Sequence, residues 1–144
     1  MRKILLLLAV TIAFAQAQSF DEYLQGFSYE EPRDMKINTQ EMLELVEMDS
    51  AQVIDIRFKE EVEAWSMGFA KNIPLNELPK RLAELDKNKL IITVCPHNDR
   101  ANIARMFLHL KGYKTKYLSD GLVGSAEYLR GDRAKNFIIK NRDN

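Results

Sequence analysis

The sequence predicts an α/β fold with a mostly parallel central sheet flanked by helices on both faces. Residues 90–94 carry no charge and are rich in β-branched side chains, as expected for a strand that is covered on both faces. Strand and helix patterns also alternate from residue 37 onwards, which is typical of parallel strands joined by right-handed crossovers. In such a sheet, the ligand site lies beyond the carboxyl ends of the strands.

The alternation begins with a helix and a short strand. Asn38 or Thr39 can cap a helix, because both side chains can accept a hydrogen bond from a free backbone N–H of the first turn. The apolar side chains of residues 42–46 fall roughly on one face of this helix. Residues 53–56 then form an apolar and β-branched run interrupted only by an aspartate, which predicts a strand.

The next segment is helical and then broken. Residues 59–67 are acidic and compatible with a helix that ends at Gly68, and Pro74 argues against helix in the residues that follow. Beyond this proline, leucines recur at helical spacing at positions 75, 78, 82 and 85.

A second helix and a third strand follow the strand at 90–94. Residues 101–111 have apolar side chains at helical spacing, and Gly112 is a suitable C-terminal cap. Residues 116–118 predict a strand, and Asp120-Gly121 predicts a turn. In the tail, we expect a final helix and a small apolar contact through residues 137–139.

The first residues have the order of charges and apolar side chains that is typical of a signal peptide. Basic Arg2 and Lys3 precede an uncharged run over residues 4–15, and the small residues Ala15 and Ala17 stand at the two positions that a signal peptidase reads before the expected cut after Ala17. The run is short for a stable membrane anchor, although an uncleaved anchor or a buried helix remains the alternative. We therefore expect a periplasmic or secreted protein.

The remaining chain has the size of one domain. We interpret residues 18–36 as an N-terminal extension that packs partly through its aromatic side chains, residues 37–130 as the domain, and residues 131–144 as a C-terminal tail. The chain has 21 basic and 21 acidic side chains without a basic block, which argues against nucleic acid as a partner. Nothing in the sequence indicates a cofactor or a metal site.

The only cysteine, Cys95, stands directly after the predicted buried strand. Free backbone N–H groups and the positive end of a helix dipole meet at such a position, so we expect a stabilised thiolate and a lowered pKa for Cys95. Arg100 adds a positive charge that suits an anionic ligand, and Asn98 can adopt a positive φ in the loop. The alternative is that Cys95 is an inert core residue and Arg100 a solvated arginine.

Four segments of the chain, in the same order, resemble the rhodanese (sulfurtransferase) family over about residues 37–128. They are residues 53–57 (Val-Ile-Asp-Ile-Arg), 69–75 (Phe-Ala-Lys-Asn-Ile-Pro-Leu), 91–100 with the cysteine loop, and Gly112-Tyr113 together with 118–122 (Leu-Ser-Asp-Gly-Leu). The resemblance implies a rhodanese-like fold and a sulfurtransferase of the single-domain, exported form.

The resemblance also implies roles for the loop. Cys95 would be the catalytic residue, taking sulfane sulfur from thiosulfate, polysulfide or another persulfide and passing it to a thiol or cyanide. Another sulfur-carrier protein is a further candidate partner. The residues expected to bind the substrate are those that follow the cysteine: Pro96, His97, Asn98, Asp99 and Arg100.

Two details of the loop refine this expectation. Arginine is the fifth residue after the cysteine, as in rhodaneses that handle sulfur, whereas phosphatases and arsenate reductases of the Cys-x5-Arg type have one residue more. Acidic Asp99 partly cancels the positive field of Arg100, so polysulfide or a protein persulfide is as reasonable a donor as thiosulfate. We expect His97 to shape the pocket rather than to act as a base.

Two further hypotheses stay open from the sequence. The ion pair expected between Asp55 and Arg57 could brace the fold or contact the substrate, and the structural role is favoured. The whole chain could also be a non-catalytic rhodanese-like interaction module in the periplasm, with the aromatic side chains of residues 20–29 as its docking surface.

Overall fold

The computed structural model describes residues 18–141. The predicted signal peptide, residues 1–17, and the last three residues of the predicted tail lie outside the described residues. Within residues 18–141, no helix combines the length and the apolar character that crossing a membrane requires.

Helices and strands alternate along this part of the chain. The α-helices are α1 (Phe20–Gln25), α2 (Glu31–Asp34), α3 (Thr39–Glu47), α4 (Lys59–Ala64), α5 (Asp99–Leu110), α6 (Gly121–Tyr128) and α7 (Asp132–Lys140). The strands are β1 (Lys36–Ile37), β2 (Ala51–Asp55), β3 (Lys71–Asn72), β4 (Leu90–Val94) and β5 (Thr115–Leu118).

The five strands form one parallel sheet in the order β1-β5-β4-β2-β3. The uncharged strand β4 lies at its centre, where Ile92 pairs with Val53 of β2 and Thr93 pairs with Tyr117 of β5. Burial on both faces explains why β4 is uncharged throughout rather than alternating between apolar and charged side chains. The predicted parallel α/β fold is confirmed.

Helices cover both faces of the sheet, and successive residues of β4 contribute to opposite faces. Ile91 packs in a cluster with residues of α5 and with Leu78 and Leu85, whereas Ile92 packs in a second cluster with residues of α3, α6 and α7. Ile91 and Ile92 are both fully buried. The two clusters hold β4 and α5 in place, and these are the two elements that the cysteine loop connects.

Helix α3 begins where the sequence predicts it. Asn38 is the N-cap, and its side chain accepts from the backbone N–H of Glu41 at 2.9 Å. The Glu41 carboxylate in turn accepts from the backbone N–H of Asn38, which completes a capping box. Of the two predicted caps, Asn38 is confirmed and Thr39 is the first helical residue.

The leucine-rich segment does not form an α-helix. It consists of two 3₁₀ turns, Leu78–Lys80 and Leu82–Glu84, of which the first contains Pro79. Proline supplies no backbone N–H and fixes φ, so a longer helical run is not stable here. Leu78 and Leu85 are nevertheless buried against the sheet, because the leucine spacing also suits successive 3₁₀ turns.

Residues 18–36 dock against α5 through a buried polar group. Arg105 of α5 is 3% exposed and donates to the carboxylate of Glu31 at 2.6 Å and to the hydroxyl of Tyr23 at 3.0 Å. Tyr23 is buried and its ring packs edge-on against that of His109. The other aromatic side chains of this segment, Phe20, Phe27 and Tyr29, are exposed.

The end of the described chain is more helical than the sequence predicts. Helix α6 begins at Gly121, within the predicted turn, and α7 is the final helix that the sequence predicts. Phe137 of α7 is buried and packs edge-on against Phe69 at 5.6 Å between ring centroids. Ile138 and Ile139, by contrast, are exposed.

Candidate active site

The cysteine loop lies at the carboxyl edge of the sheet. Strand β4 ends at Val94, and α5 begins at Asp99. Cys95 is fully buried, Pro96 and Arg100 are partly exposed, and His97, Asn98 and Asp99 are exposed. The structure therefore brings together all six predicted site residues, as their consecutive positions require.

Backbone N–H groups point toward the sulfur of Cys95. The N–H of Ala101, in the first turn of α5, lies 3.4 Å from Sγ, and the N–H of His97 also donates to it. The positive end of the twelve-residue helix α5 is at the same place. These donors suit a thiolate or the terminal sulfur of a persulfide.

Burial nevertheless raises the pKa of the Cys95 thiol, so the predicted lowering of this pKa is wrong. Loss of hydration is the largest cause, and the negative charge of Asp99 adds to it. The N–H groups of Ala101 and His97 and the charge of Arg100 act in the opposite direction and do not compensate. At neutral pH, the resting protein therefore holds Cys95 mainly as the thiol.

The reactivity of Cys95 should follow this pKa. We expect the rate of alkylation by iodoacetamide to rise about tenfold for each pH unit through neutral pH, with a midpoint above the value of about 8.5 of an unperturbed cysteine. The same protein unfolded in urea provides the control, because its only cysteine then titrates normally. A midpoint in the folded protein at or below that of the unfolded protein would contradict the expected direction.

Asn98 does not have the predicted positive φ. Its backbone has φ −150° and ψ −11°, and its side-chain amide donates to the carbonyl oxygen of Ser119 at 3.2 Å. The side chain thus ties the loop to the segment after β5. His97 is exposed, and it contributes to the sulfur site through its backbone N–H.

Arg100 is held by Glu61, a residue that no sequence motif singles out. Both of its terminal nitrogens donate to the carboxylate of Glu61, at 2.8 and 2.9 Å. This bidentate pair lowers the pKa of Glu61 to about 2 and raises that of Arg100. Glu61 also accepts from the backbone N–H of Phe58, so the start of α4 is fixed beside the cysteine loop.

Glycine at position 121 allows α6 to approach the loop closely. Its φ is +67°, and a Cβ atom there would lie 2.3 Å from the carbonyl oxygens of Pro96 and His97. The first backbone N–H groups of α6 donate to the other side of the loop: Leu122 to the carbonyl of Cys95 at 2.9 Å, and Val123 to that of Pro96 at 3.2 Å. Both contacts turn these carbonyls toward α6, which leaves the loop N–H groups free to face the sulfur.

Asp55 and Arg57 form a buried brace next to the site. Arg57 is fully buried and donates to both carboxylate oxygens of Asp55, at 2.7 to 3.0 Å. It also donates to the carbonyl of Trp65, whose ring lies 4.2 Å from its guanidinium carbon. The predicted ion pair is confirmed, and Trp65, which is 41% exposed, covers it from solvent.

The described residues include no cluster of histidine, cysteine and carboxylate side chains suited to hold a metal ion. Of the two histidines, His97 lies in the loop and His109 packs against Tyr23.

Comparison with known proteins agrees with this geometry. The family model described as "Rhodanese-like domain" matches residues 38–127, which include β2, the cysteine loop and most of α6. The chain belongs to the rhodanese-like domain family. The family resemblance and the fold class that the sequence predicts are thereby confirmed.

Individual relatives of this rhodanese-like domain are distant in sequence. It is 28% identical over 89 residues to YtwF, a candidate sulfurtransferase of Bacillus subtilis, a match that covers 61% of this chain and 86% of the relative. A rhodanese-related protein of Thermoplasma volcanium superposes with a TM-score of 0.59 at 26% identity, covering 65% of this chain and 91% of that one.

A larger protein contains a similar domain. The crystal structure of reduced CoADR-RHD from Bacillus anthracis matches with a TM-score of 0.62 at 28% identity, over 69% of this chain. This chain spans only 18% of the length of that protein. Together these relatives place the rhodanese-like domain in a sulfurtransferase-like family.

Proposed function

We propose that this rhodanese-like domain is a sulfurtransferase or sulfane-sulfur carrier that holds sulfur as a persulfide on Cys95. The observation that carries the proposal is the position of Sγ, which lies under the N-terminus of α5 with the N–H of Ala101 3.4 Å away. A persulfide carries its negative charge one sulfur further out than a thiolate. The N–H groups of the loop can therefore stabilise that charge once the sulfur has been added.

The transfer requires no second cysteine. The Cys95 thiolate attacks the sulfane sulfur of the donor, a new S–S bond forms, and the donor's S–S bond breaks with its electron pair on the leaving group. An acceptor thiolate or cyanide then attacks the outer sulfur of the persulfide and restores the Cys95 thiolate. Sulfur is transferred without net oxidation of the protein, which is consistent with a chain that has a single cysteine.

The raised pKa of Cys95 is compatible with this cycle. Only a small fraction of the thiol is ionised at neutral pH, but a thiolate of high pKa is also a stronger nucleophile. With residues 1–17 removed, as the sequence predicts, the reaction would take place outside the cytoplasm, where polysulfides and small persulfides are candidate donors.

Intact-mass spectrometry tests the proposal directly. Under anaerobic conditions with polysulfide, we expect the wild-type protein to gain the mass of one sulfur atom and to lose it again when cyanide or a thiol is added. Cys95→Ser, which differs by one atom, should gain nothing. Because the chain has one cysteine, the position of the adduct is unambiguous.

Two outcomes would overturn the proposal. One is the absence of an adduct on wild-type protein that is shown to be folded, and the other is an equal adduct on Cys95→Ser. Either result would favour the interaction module, for which wild type and Cys95→Ser should bind the same partner equally well.

A further inference from the structure

The charges around the sulfur of Cys95 are unusual for a site that would receive an anion. A carboxylate oxygen of Asp99 lies 3.7 Å from Sγ and accepts the hydrogen bond of the thiol. Backbone N–H groups at the start of α5, that of Arg100 first, lower the pKa of Asp99, which therefore stays ionised at neutral pH.

The positive charge of Arg100 in the loop is already paired with a carboxylate. Glu61 occupies both terminal nitrogens of Arg100, and the two side chains are each about one-third exposed. A bidentate pair of this kind leaves little attraction for a third group. Asp99 and Glu61 together carry two negative charges against the one positive charge of Arg100, so these three side chains carry one net negative charge.

A net negative charge beside the cysteine discriminates between sulfur donors by their own charge. Like charges a few ångströms apart at a protein surface repel each other, and the repulsion doubles for a doubly charged donor. Thiosulfate brings two negative charges to the sulfur. An organic persulfide or a hydropolysulfide carries at most one negative charge on its reacting sulfur atoms.

We infer that Asp99, together with the Glu61–Arg100 pair, selects against dianionic sulfur donors, so that the donor is an organic persulfide or a hydropolysulfide. This inference rests on the proposed function and assigns the donor class of the same site. Asp99 is then a residue that determines specificity, while Glu61 is a positioning residue that acts through Arg100.

Sulfur transfer from an organic persulfide to Cys95 requires no further reactant. The Cys95 thiolate attacks the terminal sulfur of R–S–SH and forms Cys95–S–SH, while the electron pair of the broken S–S bond leaves with the donor as R–S⁻. The leaving thiolate takes a proton from solvent. The transferred sulfur keeps its oxidation state, and no oxidant or reductant is consumed.

The rates at which thiosulfate and an organic persulfide load Cys95 test the inference. Both are measured by intact mass at equal donor concentrations and low salt, and their ratio is compared between variants. We expect Asp99→Asn, which is isosteric and removes one charge, to raise the thiosulfate rate relative to the persulfide rate about tenfold. Added salt should narrow this difference by screening.

Glu61→Gln gives a second and independent measurement. Glutamine cannot form the ion pair, so Arg100 becomes available to an anion, and the same ratio should rise. Asp132→Asn is the matched control: Asp132 is also the first residue of a helix and exposed, but α7 packs on the other face of the sheet. This variant should leave the ratio unchanged.

A ratio is used because Asp99→Asn should also lower the pKa of Cys95, which accelerates loading by every donor equally. If Asp99→Asn and Glu61→Gln both load with the wild-type ratio, the inference is wrong while the proposed function stands. If neither donor loads the folded wild-type protein, the proposed function itself fails.

Discussion

Gly121→Ala should destabilise the protein by about 2–5 kcal/mol and greatly reduce persulfide formation on Cys95. The added Cβ would lie 2.3 Å from two carbonyl oxygens of the cysteine loop. Because atoms do not approach each other so closely, the backbone of α6 or of the loop must move. A further part of the loss comes from the backbone of Gly121 itself, whose φ of +67° is unfavourable for alanine.

The expected movement lies at the site. To relieve the contact, α6 must separate from the loop, which breaks the hydrogen bonds that Leu122 and Val123 donate to Cys95 and Pro96. These carbonyls would then be free to turn, and the N–H groups that face the sulfur would turn with them. Urea unfolding measures the stability, and the rate of polysulfide loading measures the state of the loop.

Gly112→Ala separates the two causes. Gly112 has a similar φ of +83°, but a Cβ there would meet no atom within 4 Å. Its replacement should therefore cost only the backbone strain, about 1–2 kcal/mol, with normal sulfur loading. Equal losses of stability and of loading in the two variants would show that the close approach of α6 to the loop has no special role.

The parts of the fold with a strong local pattern could be predicted from the sequence. Strand β4 and helix α5 follow from an uncharged β-branched run and from helical spacing before Gly112, and α3 follows from the cap at Asn38. In each case, the residues that determine the element lie within the element or next to it. The position of Cys95 between β4 and α5 follows from the same pattern.

Strands β1 and β3 could not be predicted in this way. Each has two residues, too few to show a period, and each is a strand only because a distant segment pairs with it. Lys36 pairs with Tyr117, and Asn72 pairs with Asp55, which are contacts made by the tertiary fold. Hydrogen bonding between segments, rather than local propensity, determines these edges of the sheet.

The electrostatics of the site also could not be predicted from the sequence. The sequence shows that Cys95 precedes a helix and Arg100, and both features predict a lowered pKa. It does not show that Glu61, 39 residues away along the chain, neutralises Arg100, or that the thiol is fully buried. Burial raises the pKa of Cys95, and both facts arise from packing between α4, α5 and the sheet.

Asp55→Asn is expected to destabilise the protein by about 3–5 kcal/mol, because it leaves the guanidinium of Arg57 buried without its counter-charge. Asp55 is 2% exposed and Arg57 is fully buried. The Nη1 atom of Arg57 already has no hydrogen-bond partner among the described residues. Asp55 and the carbonyl of Trp65 therefore accept the hydrogen bonds that offset most of the cost of burying the guanidinium. Urea denaturation of the two proteins measures the difference.

Asp34→Asn provides the matched control, since Asp34 pairs with Arg33 in the same chain but both side chains are more than half exposed. Removing an exposed pair should change the stability by no more than about 1 kcal/mol. A similarly small effect of Asp55→Asn would contradict the assignment of Asp55 and Arg57 as a structural brace, and would return them to the candidates for substrate contact.

Replacing both partners distinguishes the cost of an unpaired charge from the value of the pair. In Asp55→Leu combined with Arg57→Met, no buried charge remains, so much of the lost stability should return. Arg57 also donates to Trp65 at the end of α4, and α4 carries Glu61. If the double variant is stable but responds to thiosulfate and persulfide differently from wild type, the brace also positions Glu61, and through it Arg100.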